Sequence, residues 1–160
     1  MTPTAQKAVG VGYELTFMRV FNAPRALLWK VWTDPFHLAQ WWGPHGFTNP
    51  VCEFEAKEGG RIRIDMKGPD GTVYPMTGTV NELDPPKHLI FTGFAIEGED
   101  GSPGLETLNT LAFEEEGGKT TLTLRVVVVR AEPNALIALS GMEEGWSQSL
   151  ERLEQHIAAI

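Results

Sequence analysis

The C-terminal stretch, residues 134–160, constrains the fold of this chain more than any other part of its sequence. Apolar residues recur there in steps of three or four, which places them on one stripe of an α-helix. The stripe consists of Leu136, Leu139, Met142, Trp146, Leu150, Leu153 and Ile157. A stripe of this length needs a broad apolar surface to pack against, and most of the preceding sequence alternates as β-strands do. We therefore predict one curved sheet wrapped around one long helix that runs from Asn134 to Ile160.

Two short helices are predicted directly after a first strand at residues 13–21. Asn22 and Asp34 are the expected N-caps of these helices. Pro24 and Pro35 suit the first helical turn, where the missing N–H costs no hydrogen bond. The two helices meet at a sharp corner, so we expect them to form a V that supports one end of the long helix.

The middle of the chain, residues 51–129, predicts an antiparallel meander. Its segments alternate between apolar and polar residues and are separated by turns rich in Gly and Pro. Together with the first strand they predict a sheet of six to seven strands, and an α+β fold class. The polar, glycine-rich segment at residues 97–104 is expected to be the most mobile loop. Residues 1–12 show no periodicity and are expected to form a flexible tail ahead of one domain, residues 13–160.

Gly141 and Gly145 lie one turn apart inside the predicted long helix. Each glycine costs about 1 kcal/mol relative to alanine in a helix interior. Three features would offset this cost: close approach of another element, a bend, or space for a ligand. Of these, we expect close packing against the helix V.

Composition excludes several classes of partner. The chain has 160 residues, with 13 basic and 21 acidic side chains and a net charge of -8. This charge opposes binding to nucleic acid and to anionic membrane surfaces. No apolar run approaches the roughly 20 residues of a membrane helix, and the N-terminus lacks the apolar core of a signal peptide. Cys52 is the single cysteine, so no internal disulfide can form and a cytoplasmic setting is expected. We also expect a monomer or a homodimer.

Several local strings resemble one known family. These strings are FNAP at 21–24, WTDP at 32–35, QWWGP at 40–44, GG at 59–60, GTV at 78–80 followed by PP at 85–86, and GMEEGW at 141–146. With the order of elements, they identify the chain as similar to the activator of Hsp90 ATPase homologue 1-like (AHSA-type) family. That family is part of the START-like, or SRPBCC, superfamily, which has the Bet v 1-like helix-grip fold.

The resemblance implies a hydrophobic cavity between the sheet and the long helix. The co-chaperone that names the family carries a separate domain ahead of this one, whereas about a dozen residues precede the first strand here. We therefore expect a stand-alone domain rather than a full activator of a chaperone ATPase.

The expected ligand-cavity residues are mostly aromatic and apolar side chains near the helix V and the long helix. Large rings either line such a cavity or fill the core, and spacing alone does not decide between these roles. His45 is expected to offer a hydrogen bond at the cavity entrance, and Tyr74 and Asn109 are the expected inward polar groups. The full set is Trp32, Trp41, Trp42, His45, Phe47, Met66, Tyr74, Met76, Phe91, Asn109, Met142, Trp146 and Leu150.

No catalytic group, metal site or cofactor is expected. His37 and His45 bracket the Trp41-Trp42 pair but lack a third ligand for zinc. Cys52 has no neighbour in sequence that would stabilise a thiolate, so we expect a buried, inert thiol.

Three hypotheses about function follow in order of preference. The first is a binder of a small hydrophobic or aromatic molecule. The second is a protein-interaction module that acts on a chaperone or another protein, as in a stress response. The third is a cyclase- or hydrolase-like enzyme that uses the same cavity, which would need a titratable group on the cavity wall.

Overall fold

The computed structural model describes residues 10–97 and 103–160 and confirms the predicted α+β fold. Within these residues, seven strands form one antiparallel sheet in the order β1-β7-β6-β5-β4-β3-β2. The strands are β1 (Glu14–Phe21), β2 (Thr48–Phe54), β3 (Arg61–Lys67), β4 (Val73–Asp84), β5 (His88–Glu97), β6 (Pro103–Glu116) and β7 (Lys119–Ala131). Strands β2 to β7 are a meander in which each strand pairs with the next. β1 pairs with β7, so β1 and β2 lie at opposite edges.

Two short helices carry the chain from the β1 edge to the β2 edge. They are α1 (Arg25–Thr33) and α2 (Pro35–Trp41). Asp34 caps α2 as predicted, since its side chain accepts a hydrogen bond from the backbone N–H of Phe36 at 2.9 Å. The predicted cap of α1 was wrong. Pro24 itself is the N-cap residue in an extended conformation, and no side chain, that of Asn22 included, caps the helix.

The C-terminal helical region is interrupted where the sequence predicted one continuous helix. A 3-10 turn (Pro133–Ala135) leads into α3 (Leu136–Ser140), and α4 (Met142–Ala159) follows after Gly141. Gly141 has φ −99° and ψ 0°, outside helical geometry. A Cβ at Gly141 would have Ala138 O as its nearest neighbour, at 3.9 Å. Close packing therefore does not explain this glycine, which lies at the break between α3 and α4.

The C-terminal half of α4 is the part of the predicted stripe that closes the main core. Leu150 and Leu153 are buried there, at 1% and 0% exposure, and Ile157 lies beside them. Burying a leucine side chain contributes about 2 kcal/mol. Leu136, at the other end of the stripe, is 43% exposed, whereas Leu139 of the same α3 is buried at 1%.

Two sequence predictions fall on residues that the structure does not describe. The predicted tail, residues 1–12, lies largely there, and so does most of the polar loop predicted at residues 97–104. In residues 10–97 and 103–160, no helix combines the length and the apolar character that a bilayer crossing requires.

Arg19 interrupts the apolar alternation of β1, and the structure shows its role. The register between β1 and β7 is continuous from Glu14 to Phe21, so Arg19 does not mark a bulge. It is half-buried, and its guanidinium donates a hydrogen bond to Ser147 Oγ of α4 at 3.2 Å. The charge therefore faces the helical side of the sheet and helps to position α4.

A histidine pair joins α2 to α4. His37 Nδ1 and His156 Nε2 lie 3.0 Å apart, and both side chains are half-buried. Burial lowers the pKa of His156, and the neighbouring His37 lowers it further. Protonating both rings would place two positive charges at hydrogen-bond distance, so the contact favours neutral histidine.

The histidine pair predicts a loss of stability on mild acidification. The unfolded state binds a proton at the ordinary histidine pKa of about 6.5, whereas folded His156 binds it more weakly. Its contribution is therefore complete above about pH 6.5 and decreases as the pH falls toward the lowered pKa of the folded state. Urea unfolding at about pH 7.5 and at about pH 5.5 should show this loss in the wild type and a smaller one in His156→Gln. His45→Gln, which replaces an exposed histidine, is the control and should not reduce the loss. An identical pH dependence in wild type and His156→Gln would contradict the prediction.

Candidate ligand-binding cavity

A cavity of about 680 Å³ lies between α4 and the strands of the sheet. This volume falls within the roughly 300–1,000 Å³ that small-molecule sites occupy. The segment after α2, the strands β3 to β7 and the helices α3 and α4 all contribute to its wall. The lining residues are Trp42, Gly43, Pro44, Met66, Val73, Tyr74, Pro75, Met76, Thr77, Phe91, Gly93, Phe94, Ala95, Leu105, Thr107, Asn109, Val126, Ala138, Met142, Gly145, Trp146 and Ser149.

Small residues keep this space open. Gly93 and Ala95 alternate on one face of β5 and both line the cavity. A Cβ at Gly93 would lie 3.2 Å from both Met76 Cε and Thr107 Oγ1, so a larger residue there would displace the wall. On α4, a Cβ at Gly145 would have Pro44 Cγ as its nearest neighbour, at 3.9 Å. Close packing therefore does not require this second glycine either, and the space beside it belongs to the cavity.

The tryptophans predicted as one aromatic set divide between cavity and core. Trp42 and Trp146 line the cavity, with ring centroids 5.3 Å apart and planes at 80°. Trp32 and Trp41 are not on the wall and are 1% and 0% exposed. Trp32 stacks behind Trp146 at 6.2 Å, and Trp41 meets the Trp32 ring at 4.6 Å. The two buried indoles therefore support the two that face the cavity.

Arg152 fixes the segment that carries Trp42. Its Nη1 donates to the carbonyl oxygens of Trp42, Gly43 and Pro44 at 3.0, 2.9 and 2.9 Å. Its Nη2 donates to Gln40 O at 3.3 Å. The last carbonyls of a helix lack partners within the helix, and a cation there also interacts favourably with the helix dipole. Burial lowers the pKa of Arg152, but an arginine remains charged in proteins.

Gly43 allows this segment to turn. Its φ is +95°, a backbone conformation that residues with a Cβ rarely adopt. A Cβ there would also lie 3.0 Å from Met66 Sδ. Asn49 holds the same turn from β2, because its Nδ2 donates to Ala39 O and Trp42 O at 3.0 and 2.8 Å. The wall segment at residues 42–44 is therefore held from two sides.

The structure brings most of the other predicted residues together at the cavity. Met66, Tyr74, Met76, Phe91, Asn109 and Met142 all line it. Three others do not. Leu150 is 1% exposed in the core. Phe47 packs beside the wall residue Tyr74, with ring centroids 5.9 Å apart. His45 is exposed, and its Nε2 lies 3.0 Å from Glu151 Oε1, so it does not supply a polar group at the entrance.

Sequence reasoning missed several wall residues that strand alternation would have indicated. Gly93 and Ala95 continue the inward face that begins at Phe91, and Leu105 and Thr107 continue the face of Asn109. Pro44 and Ser149 carry no comparable signal, because their positions depend on how the segment after α2 meets α4.

The described wall contains no Asp, Glu, His, Lys or Arg side chain. Its polar side chains are Asn109, Ser149, Thr107, Thr77 and the exposed Tyr74. Cys52 is not on the wall, and burial, followed by the charge of Glu53, raises the pKa of its thiol to about 11. In the part of the chain that the structure describes, no group of three or more His, Cys, Asp or Glu side chains could hold a metal ion.

The family model described as Activator of Hsp90 ATPase homolog 1-like protein matches residues 22–158. The chain belongs to this family. The match begins directly after β1 and ends one residue before the end of α4, so every described residue of the cavity wall lies within the family domain. No curated protein shows significant similarity to the chain.

Solved structures of bacterial proteins share the fold. A crystal structure of a protein from Rhodobacter sphaeroides is 31% identical, with 96% of this chain and 95% of that chain covered and a TM-score of 0.75. The AHSA1 protein from Silicibacter pomeroyi is 27% identical, with 92% and 99% covered and a TM-score of 0.76. A solution structure of a protein from Arthrobacter aurescens is 27% identical, with 92% and 87% covered and a TM-score of 0.78. These matches establish the helix-grip architecture over nearly the whole chain.

The hydrogen bonds of Arg152 predict a specific stability effect. Replacing Arg152 by Met keeps the apolar stem but leaves the carbonyls of residues 40–44 without their donor. Because hydrogen bonds to charged groups contribute about 1.5–3 kcal/mol and Arg152 is partly exposed, we expect a loss of about 2 kcal/mol. Arg152→Lys should recover part of it. Arg61→Met is the control, since the Arg61 side chain pairs with Glu53 at the surface and both side chains are exposed. Urea unfolding measures all three, and equal effects of Arg152→Met and Arg61→Met would contradict the prediction.

Proposed function

We propose that this protein binds a small apolar or aromatic molecule in the cavity between α4 and the sheet. The observation that carries the proposal is the cavity itself: about 680 Å³ of space beside two half-buried indoles, those of Trp42 and Trp146. Apolar walls with a few placed polar groups are the usual form of small-molecule sites. Membership of a family with a helix-grip fold supports the same location.

The two indoles suit a flat ligand. Their planes stand at 80° to each other, so a planar molecule that lies along one ring meets the other ring edge-on. Both arrangements are favourable for aromatic groups. Trp32 and Trp41 pack behind these rings in the core, so little conformational entropy remains to be lost when a ligand binds.

Open apolar space destabilises a protein unless something fills it. Side chains around a void lose dispersion contacts that a packed core would provide. Gly93, Ala95 and Gly145 all line the cavity, and larger residues at any of them would reduce the void. A bound molecule would replace the missing contacts, which gives the space a function that core packing does not.

The composition of the wall favours binding over catalysis. An acid–base enzyme needs a titratable group within hydrogen-bond reach of the reacting atoms. The described lining residues offer hydroxyls and one amide, and the phenol of Tyr74, which is 44% exposed, lies at the rim. Ligand binding is therefore the function that the wall supports best.

Filling the cavity from α4 should abolish binding. The probe is N-phenyl-1-naphthylamine, a neutral fluorescent aromatic compound. In wild type we expect saturable fluorescence enhancement and a higher melting temperature, because a ligand at about 100 times its Kd stabilises the native state by about 2.7 kcal/mol. Gly145→Leu places a branched side chain in the cavity and should remove both signals.

Gly145→Ala is the matched control for this experiment. It adds one methyl group at ordinary contact distance from Pro44 and should keep most of the binding. It should also raise the free energy of unfolding by up to about 1 kcal/mol, since alanine is the better helix former. Absence of any signal in wild type, or equal signals in wild type and Gly145→Leu, would refute binding in this cavity.

A further inference from the structure

Asn109 places an amide in the cavity wall at 2% exposure. It lies on β6, directly opposite Phe91 of β5, on the face of the sheet that lines the cavity. A buried amide without hydrogen-bond partners costs several kcal/mol relative to water, so both ends of the group need partners. The partners of each end determine which atom remains available to a ligand.

The amide nitrogen of Asn109 is fully engaged with the sheet. Nδ2 donates to Thr107 Oγ1 at 3.1 Å, to Phe91 O at 3.3 Å and to Thr107 O at 3.4 Å. Two of these acceptors are backbone carbonyls, which cannot donate. Turning the amide over would set its oxygen against them, so this orientation is fixed by the strands.

The amide oxygen of Asn109 accepts no hydrogen bond from any residue that the structure describes. An acceptor in this position needs a donor from the cavity, which either water or a ligand can supply. Thr107 adds a second group, because its Oγ1 accepts from Asn109 and its own hydroxyl proton is not used by a described residue. Ser149, the other buried polar side chain of the wall, is already satisfied, since its hydroxyl donates to Gly145 O at 3.0 Å.

The charge of the surroundings restricts the ligand further. The described wall has no charged side chain, and the chain carries a net charge of -8. A ligand carboxylate or phosphate would be buried without a cation, at a cost of several kcal/mol. A ligand cation would likewise lack a carboxylate partner among the lining residues.

We propose that the cavity takes a neutral aromatic molecule whose hydroxyl or N–H group donates a hydrogen bond to Asn109 Oδ1. The aromatic body contacts Trp42 and Trp146, and the polar group reaches Asn109 and Thr107. This inference rests on the proposed function and narrows its ligand class. It distinguishes phenols and N–H compounds from hydrocarbons, ethers and anions of the same shape.

Three naphthalene derivatives test the inference by isothermal titration calorimetry near neutral pH. 2-Naphthol is neutral and donates a hydrogen bond, 2-methoxynaphthalene only accepts one, and 2-naphthoate is an anion. Leaving Asn109 Oδ1 unpaired costs about 1–3 kcal/mol, so 2-naphthol should bind at least about tenfold more tightly than 2-methoxynaphthalene. The ether is the more hydrophobic compound, so hydrophobicity alone gives the opposite order. 2-Naphthoate should bind most weakly.

Asn109→Val should bring the affinities for 2-naphthol and 2-methoxynaphthalene to within about threefold of each other, because it removes the acceptor and keeps a strand-forming residue. Thr110→Val is the control on the same strand, with its side chain on the opposite face, and should keep the preference. If Asn109→Val does not fold, the NMR chemical shift of the Asn109 side-chain carbonyl carbon in wild type tests the same contact. It should shift with 2-naphthol and not with 2-methoxynaphthalene.

The outcomes separate this inference from the proposed function. If no compound binds wild type, both fail. If 2-naphthol and 2-methoxynaphthalene bind wild type equally, and both lose binding in Gly145→Leu, the cavity binds ligands but the role of Asn109 is refuted. If Asn109→Val keeps the wild-type preference, the inference is also overturned. A donor preference that disappears in Asn109→Val and persists in Thr110→Val supports it.

Discussion

The rest of this structure depends on one constraint: α4 has to cover one face of a seven-stranded sheet. Its C-terminal half does so by close contact, through the buried side chains of Leu150, Leu153 and Ile157. Its N-terminal half carries Met142 and Trp146, which pack against the core and also line the cavity. One helix therefore closes the core at one end and bounds an open volume at the other, and the break at Gly141 lies at the open end.

Polar contacts add to the packing of the indoles in holding the wall of the cavity. Arg152 joins α4 to the carbonyl oxygens that follow α2, and Arg19 joins β1 to Ser147 of the same helix. Such contacts are directional, so they fix the distance between elements without requiring that the space between them be filled. This explains how the wall keeps its shape around about 680 Å³ of apolar volume.

The periodicity of the sequence was sufficient to predict the architecture. It was not sufficient to predict which residues lie in the core and which line the cavity. The stripe of α4 and the alternation of the strands follow from local repeat distances, and both lead to the helix-grip fold. Trp41 and Trp42 show where this reasoning ends. They are adjacent in sequence, yet the first is fully buried in the core and the second faces the cavity. That difference arises from the turn at Gly43 and its contacts with Arg152, which lie 109 residues apart.

The same distinction applies to polar residues. Asn109 was identifiable as inward-facing because it shares one face of β6 with Leu105, Leu111 and Phe113, whereas the orientation of its amide is set by acceptors on two strands. His45 lies in the loop between α2 and β2, and the sequence does not determine the path of that loop. In the structure His45 pairs with Glu151 outside the cavity. The acidic surface and the uncharged wall then act together. Carboxylates disfavour the approach of anions, and the wall disfavours any charge that enters. In the proposed binding site, discrimination among the remaining neutral ligands would depend on whether a ligand can satisfy a preorganised acceptor, because an unpaired buried oxygen costs more than a hydrogen bond gains.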